Sequence, residues 1–203
     1  MRKLVRSDRA TIGDMELDIN AKDTQPVYLE ALNAIKQQMD AMKTHCPRLL
    51  VFRLDVRLNR YTADNKPISR FIHKLSKWIT KTYGGPVGYI WAREQDKAPA
   101  QHYHLLVVVN GKAVRHPSHI ITKAEAIAEG WEWPKPYTPR RCYYDIRPND
   151  EQAYRDAFYR ASYLAKSQTK TGKGKTANYF GASRVKPKPS KPTVTPAVKP
   201  ASV

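Results

Sequence analysis

The chain has 203 residues, room for one ordinary domain with appendages, and carries 36 Lys and Arg against 18 Asp and Glu, a formal net charge of +18. The excess is not confined to one end: residues 167–203 hold eight bases and no acid, and the remaining 166 residues hold 28 bases against 18 acids. Such a balance points to a polyanionic partner, and nucleic acid is favoured over a membrane because the chain has neither a basic amphipathic helix nor an apolar run of membrane length.

Residues 1–25 are polar and mixed and are expected to form a loose arm. No apolar stretch follows the basic start, so no signal peptide is expected and the protein is read as cytoplasmic. Thr24 can cap a helix with Pro26 in its first turn, and Tyr28, Leu32, Ile35, Met39 and Met42 then recur at helical spacing as far as Pro47. Leu49 to Leu58 follows as a strand, with Leu50, Phe52, Leu54, Val56 and Leu58 on one face and Arg53, Asp55 and Arg57 on the other. The first face packs on helices and the second is polar.

Ile68 to Tyr83 has a helical apolar stripe that stops at Gly84-Gly85. Val87 to Glu94 and His102 to Val109 read as strands, and Asn110-Gly111 as a turn. A short helix is expected around Ile120–Glu129, then a Pro-broken loop through Trp131 and Trp133, a strand over Cys142–Arg147, and a helix capped by Asp150 that runs to about Ser167. Beyond it the chain is rich in Lys, Pro, Gly and Thr and is expected to be largely disordered, with 180–184 as a candidate ordered stretch. The order α-β-α-β-β-(α)-β-α implies an α+β fold with a mainly antiparallel sheet and helices on one face.

Two motifs carry chemistry. His102 and His104 are two apart at the head of an apolar strand, so their rings share a face. If the strands on either side of 95–101 form a hairpin, Glu94 stands opposite His102 on that face. One carboxylate and two imidazoles with open positions suit Mg2+ or Mn2+; a closed zinc site would ask for a fourth ligand, usually Cys. His116 and His119 fall in a loop-rich stretch, His45 and His73 look incidental, and Cys46 and Cys142 have no metal-pair spacing and are read as reduced and structural.

The second motif is Tyr159-Arg-Ala-Ser-Tyr163-Leu-Ala-Lys166, which on a helix places Tyr159, Tyr163 and Lys166 in one patch. Tyr163 lies nearly opposite the apolar stripe of Tyr154, Ala157, Phe158, Ala161, Leu164 and Ala165, so it is not an ordinary core tyrosine. A phenol, a metal site and a lysine together are the ingredients for attack on a phosphodiester through a phosphotyrosine.

These residues resemble the HUH superfamily of single-strand endonucleases, which comprises rolling-circle replication initiators, relaxases and some transposases. More narrowly, Phe52-Arg-Leu-Asp55, Ile90-Trp-Ala-Arg-Glu-Gln95, His102-Tyr-His104, Tyr159–Lys166 and Phe180-Gly-Ala-Ser-Arg184 resemble the inovirus-type replication proteins and the YagK/YfjJ prophage family. The resemblance spans about residues 48–184. It implies a ferredoxin-like (RRM-like) sheet, metal ligation by His102, His104 and Glu94, attack by Tyr163 with Tyr159 as second nucleophile, and a supporting Lys166.

It places an endonuclease domain over 48–167, which leaves the N-terminal arm and helix over 1–47, where no family motif aligns, and the basic tail over 168–203. The expected partners are single-stranded DNA at a replication origin together with a host helicase and polymerase, since no Walker motif is present. DNA contacts are expected from Arg53, Asp55, Arg57, Arg184, Lys170, Lys173 and Lys175. The rivals are a transposase or relaxase with the same chemistry, and a non-catalytic RRM-like module. The module would place aromatics on an open sheet face, where the first strand instead offers Arg53, Asp55 and Arg57.

Overall fold

The structure is a computed structural model that describes residues 3–95, 98–168 and 177–189. In chain order the elements are β1 (Leu4–Val5), β2 (Arg9–Ile12), β3 (Met15–Asp18), β4 (Val27–Tyr28), α1 (Leu29–His45), β5 (Leu49–Arg57), α2 (Lys66–Tyr83), β6 (Gly88–Glu94), β7 (His102–Asn110), α3 (Ser118–Glu129), β8 (Tyr143–Ile146), α4 (Glu151–Ser162), a 3-10 turn (Tyr163–Ala165) and β9 (Phe180–Ala182). Five strands form one sheet in the order β8-β5-β7-β6-β9, and every neighbouring pair is antiparallel. Within it, β5-α2-β6-β7-α3-β8 follows a β-α-β-β-α-β course. The α+β class and the antiparallel sheet are as the sequence implies.

The helices, however, cover both faces rather than one. Leu50, Phe52, Leu54 and Val56 pack with α2 and α3, as do Tyr103, Leu105 and Val107 of β7. Leu49 and Val51 face the other way, into a second core shared with α1, α4, Leu106, Val108 and Ile146. The reason lies in β5 itself. Its first four residues are all apolar, so both faces need cover; alternation with polar residues begins only at Arg53. The face read as polar is therefore apolar at one end of the strand and polar at the other.

The N-terminal segment is not a loose arm. β2 and β3 form a hairpin closed by Gly13-Asp14, with Gly13 at φ +64° as the first central residue of a tight turn. Ile12 and Leu17 are 1% exposed and belong to the α1/α4 core. Helix α1 starts at Leu29, not after Thr24, because Val27 and Tyr28 are used as a strand against Leu4 and Val5. The expected stripe on α1 is buried at Leu32, Ile35, Met39 and Met42.

Helix α4 ends at Ser162 rather than near Ser167. The Ser162 hydroxyl donates to the Tyr159 carbonyl and accepts from the Asn20 amide, and the chain tightens into the 3-10 turn. Lys166 then pairs as an isolated bridge with Val27, and Ser167 donates to the Pro26 carbonyl from its amide and its hydroxyl.

Residues 180–182, expected within the tail, form the edge strand beside β6. Gly181 crosses Trp91 so closely that a Cβ there would stand 2.5 Å from the indole, which explains a glycine in this strand. The rest of the expected disordered tail lies mostly outside the described residues, as do Lys170, Lys173 and Lys175. No helix among the described residues is long and apolar enough to cross a membrane.

If the hairpin is part of the core, Leu17→Ala should destabilise the protein by about 2–5 kcal/mol in urea unfolding, the usual range for such a truncation at a buried site. An arm that packs on nothing would show no loss.

Candidate active site

Strand pairing assembles the site. In β6–β7, Glu94 stands opposite His102 and Ala92 opposite His104; in β5–β7, Asp55 stands opposite His104 and Arg57 opposite His102. The alternation of each strand then brings Arg53, Asp55, His102, His104 and Glu94 to one face. Glu94 Oε2 is 2.9 Å from His104 Nε2 and 3.5 Å from His102 Nε2. One ligand atom from each of these three residues lies within 4.8 Å of the others. Glu94 and His104 are buried, whereas His102 stands at the mouth.

The residues fit a divalent cation on their chemistry. Two imidazole nitrogens and a carboxylate oxygen form a mixed donor set, buried on the protein side and reachable on the other through His102. The second nitrogen of His104 is also fixed: Nδ1 is 2.8 Å from Asp55 Oδ1. That contact orients the ring and leaves Nε2 directed at the cluster. Arg53 forms a two-pronged ion pair with Asp55 at 2.8 and 3.0 Å, and its terminal nitrogen is also 2.7 Å from His104 Nδ1. One ring nitrogen cannot both donate to Asp55 and accept from Arg53. Donation to Asp55 lets Arg53 and His104 share that carboxylate.

Burial opposes protonation of His104, but hydrogen bonds to Asp55 and Glu94 outweigh it and raise its pKa above 6.5. Burial likewise disfavours the Asp55 carboxylate, yet His104 and Arg53 hold its pKa below the ordinary value.

Tyr163, at the start of the 3-10 turn, brings its ring to 5.5 Å from that of His104. The Arg53 guanidinium lies 4.7 Å and the Lys166 ammonium 4.3 Å from the Tyr163 ring centre. Burial raises the Tyr163 pKa, with the Glu94 charge adding to it and Arg53 opposing. Burial also lowers the pKa of Lys166, against the pull of Glu94.

The structure thus brings His102, His104, Glu94, Tyr163 and Lys166 together. Tyr159 is 45% exposed and lines an outer groove with Arg141, Tyr143 and Asp156. Arg53 and Asp55, assigned to DNA contact from the sequence, are instead buried partners of His104. Arg57 is exposed beside the His102 register position. Arg184 is exposed next to the start of β6, at the opposite end of that strand from Glu94. Asp55 is the residue whose part in holding His104 the sequence did not reveal. Its signal was an acid on the polar face of a strand, and only the β5–β7 register reveals its partner.

The family profile for the YagK/YfjJ C-terminal domain matches residues 11–183, and the chain belongs to this prophage-associated family. The match begins within β2 and takes in β3, the edge strand β9 and the Glu94-His102-His104 cluster. No curated protein matches the chain, and no solved structure does.

Asp55→Ala should weaken Mn2+ binding by roughly 10- to 100-fold, the effect expected when a ligand's supporting partner is removed, as measured by calorimetry. An unchanged affinity would show that Asp55 does not support His104.

The pH dependence has a definite sign. Because the pKa of His104 is raised above 6.5, its contribution to metal-free stability is complete below that value and is lost as pH rises through the folded pKa. A cation needs the neutral ring and gains over the same interval. In EDTA, the stability gap between wild type and His104→Asn should narrow as pH rises from about 6 to about 8, while stabilisation of the wild type by Mn2+ grows. A gap that widens in EDTA would show that the buried ring is neutral.

Proposed function

We propose that this chain is a metal-dependent single-strand DNA endonuclease and strand transferase of the HUH type, acting as a phage or prophage replication initiator in the bacterial cytoplasm. The observation that carries this reading is the seating of Tyr163 against His104, with Arg53 and Lys166 on its ring and the Glu94-His102-His104 cluster beside it. Glu94, His102 and His104 would hold Mg2+ or Mn2+, which polarises a phosphoryl oxygen when bound.

In the reaction, Tyr163 Oη forms a bond to phosphorus as the P–O3′ bond breaks. The phenolic proton passes to solvent, and the departing 3′ oxygen takes up a proton. The 5′-phosphotyrosine keeps the bond energy for rejoining. Arg53 and Lys166 offset the negative charge that develops beside the ring. Tyr159, exposed and one turn earlier, is available for a second transfer. Origin single strands are the substrate, and a host helicase and polymerase supply unwinding and synthesis.

A relaxase or transposase would use the same geometry. The non-catalytic RRM-like module is disfavoured by a specific observation: α1 and α4 occupy the sheet face that such a module leaves open to stack bases.

Labelled single-stranded DNA carrying a family origin, incubated with Mn2+, should give a covalent adduct that maps to Tyr163. Tyr163→Phe should reduce the adduct below detection, because the ring packing survives without the attacking oxygen. Tyr159→Phe should still form the first adduct and lose only a later transfer. Adduct formation by the Tyr159→Phe/Tyr163→Phe protein would rule out the tyrosyl mechanism.

A further inference from the structure

The Trp-rich loop after α3 builds a cavity of about 330 Å3 lined by Leu58, Arg60, Thr62, Arg70, Trp131 and Trp133. Trp133 stacks on Phe71 at 5.9 Å with the rings 22° apart. Trp131 meets Trp133 edge-on at 4.9 Å and Phe71 edge-on at 6.2 Å. The indoles are thus fixed from behind, and both remain partly exposed on the cavity side. Glu132 between them has φ +57°, and its carbonyl accepts from Asn59 at 3.2 Å.

The rim is cationic. Arg60 and Arg70 are exposed and have no ion-pair partner among the described residues, and Lys74 Nζ lies 5.4 Å over the Trp131 ring. Two stacking surfaces with a rim of guanidinium groups suit a flat aromatic ring whose neighbours are phosphates. The volume is at the lower end for ligand pockets, which suits one base rather than several.

The cavity lies on the α2/α3 side of the sheet, and backbone bonds at the strand ends link it to the strands that carry the Glu94-His102-His104 cluster on the other side. Gln101, which directly precedes His102, accepts from the Thr62 amide at 3.1 Å through its side chain and from the Leu58 amide through its carbonyl. The loop that carries both tryptophans runs on to Tyr137, which exchanges two backbone hydrogen bonds with Asp55 at 2.8 and 2.9 Å. Tyr137 is 57% exposed there. One loop therefore spans from the indole cavity to the strand that supports His104.

We propose that the Trp131/Trp133 cavity is a stacking subsite for one unpaired base of the single-stranded DNA whose phosphate enters the metal cluster, with Arg60 and Arg70 on the flanking phosphates. This rests on the DNA reading above but not on strand cleavage.

The test compares binding, in EDTA and across a range of salt, of an oligothymidylate of about 20 nucleotides and a strand of equal length without bases. Wild type should prefer the base-bearing strand. Trp133→Leu, which keeps apolar packing on Phe71, should cut that preference roughly tenfold, and Trp133→Phe should restore part of it. Arg60→Gln/Arg70→Gln should weaken both strands alike and flatten the log-log salt slope by about 1.4.

If Trp133→Leu loses equal affinity for both strands, or none, the indoles merely cap the core and the proposal falls. Failure of wild type to bind either strand overturns it together with the DNA reading. A base preference that depends on Trp133 in a protein that forms no adduct supports the subsite while removing the nuclease.

Discussion

Burying His104 between two carboxylates is the constraint that organises the polar end of the sheet, because groups taken out of water must find partners within the fold. Asp55 on β5 takes Nδ1 and Glu94 on β6 faces Nε2, so one ring on the central strand depends on the register of both neighbours. A shift of one residue in either pairing would turn a carboxylate to the opposite face, among the side chains that pack on α2 and α3. Arg53 completes the arrangement by pairing with Asp55, which keeps that acid ionised although it is buried. The apolar halves of the same strands, Leu49 and Val51 on β5 and Leu106 and Val108 on β7, hold the register through packing.

The position of Tyr163 depends on a different part of the chain. Helix α4 tightens at Ser162, where the Asn20 amide bonds the serine hydroxyl, and the strand-like stretch after the 3-10 turn is stapled to Pro26 and Val27. The N-terminal segment thus fixes both ends of the turn that carries Tyr163 and Lys166. This gives the stretch from Asn20 to Val27 a role at the site through its bonds to Ser162, Lys166 and Ser167. In the proposed reaction these backbone supports would matter, since small displacements of an attacking group are costly in rate.

Much of this was legible in the sequence. His102, His104 and Glu94 could be placed on one face because strand alternation and a hairpin need only local spacing. The Tyr163–Lys166 relation followed from helical spacing and survives the change to a 3-10 turn, since the ammonium still lies over the ring. Three things were not legible. The role of Asp55 needs the pairing of β5 with β7, which are separated by a helix and a strand. The helices on the second face needed the run Leu49–Phe52 to be read as burial on both sides, and the alternation that follows it concealed this. The hairpin at residues 9–18 consists of two four-residue strands with only Ile12 and Leu17 fully inward, too short a pattern to outweigh its polar composition.

Glu94 links the two halves of the proposed chemistry. Its charge faces His104 and His102, where it favours a cation, and the same charge raises the pKa of Tyr163. With no cation, the carboxylate makes the phenol harder to ionise, adding to the cost of burial; Arg53 opposes this only in part. A cation bound by Glu94 would offset the part of that penalty due to the carboxylate's charge, because the charges lie on one face and in a poorly solvated setting. On the proposed mechanism, a cation held by Glu94 would therefore ease ionisation of the Tyr163 phenol. Two strand registers and one stapled turn are enough to build this arrangement, and each is held by packing or backbone bonds.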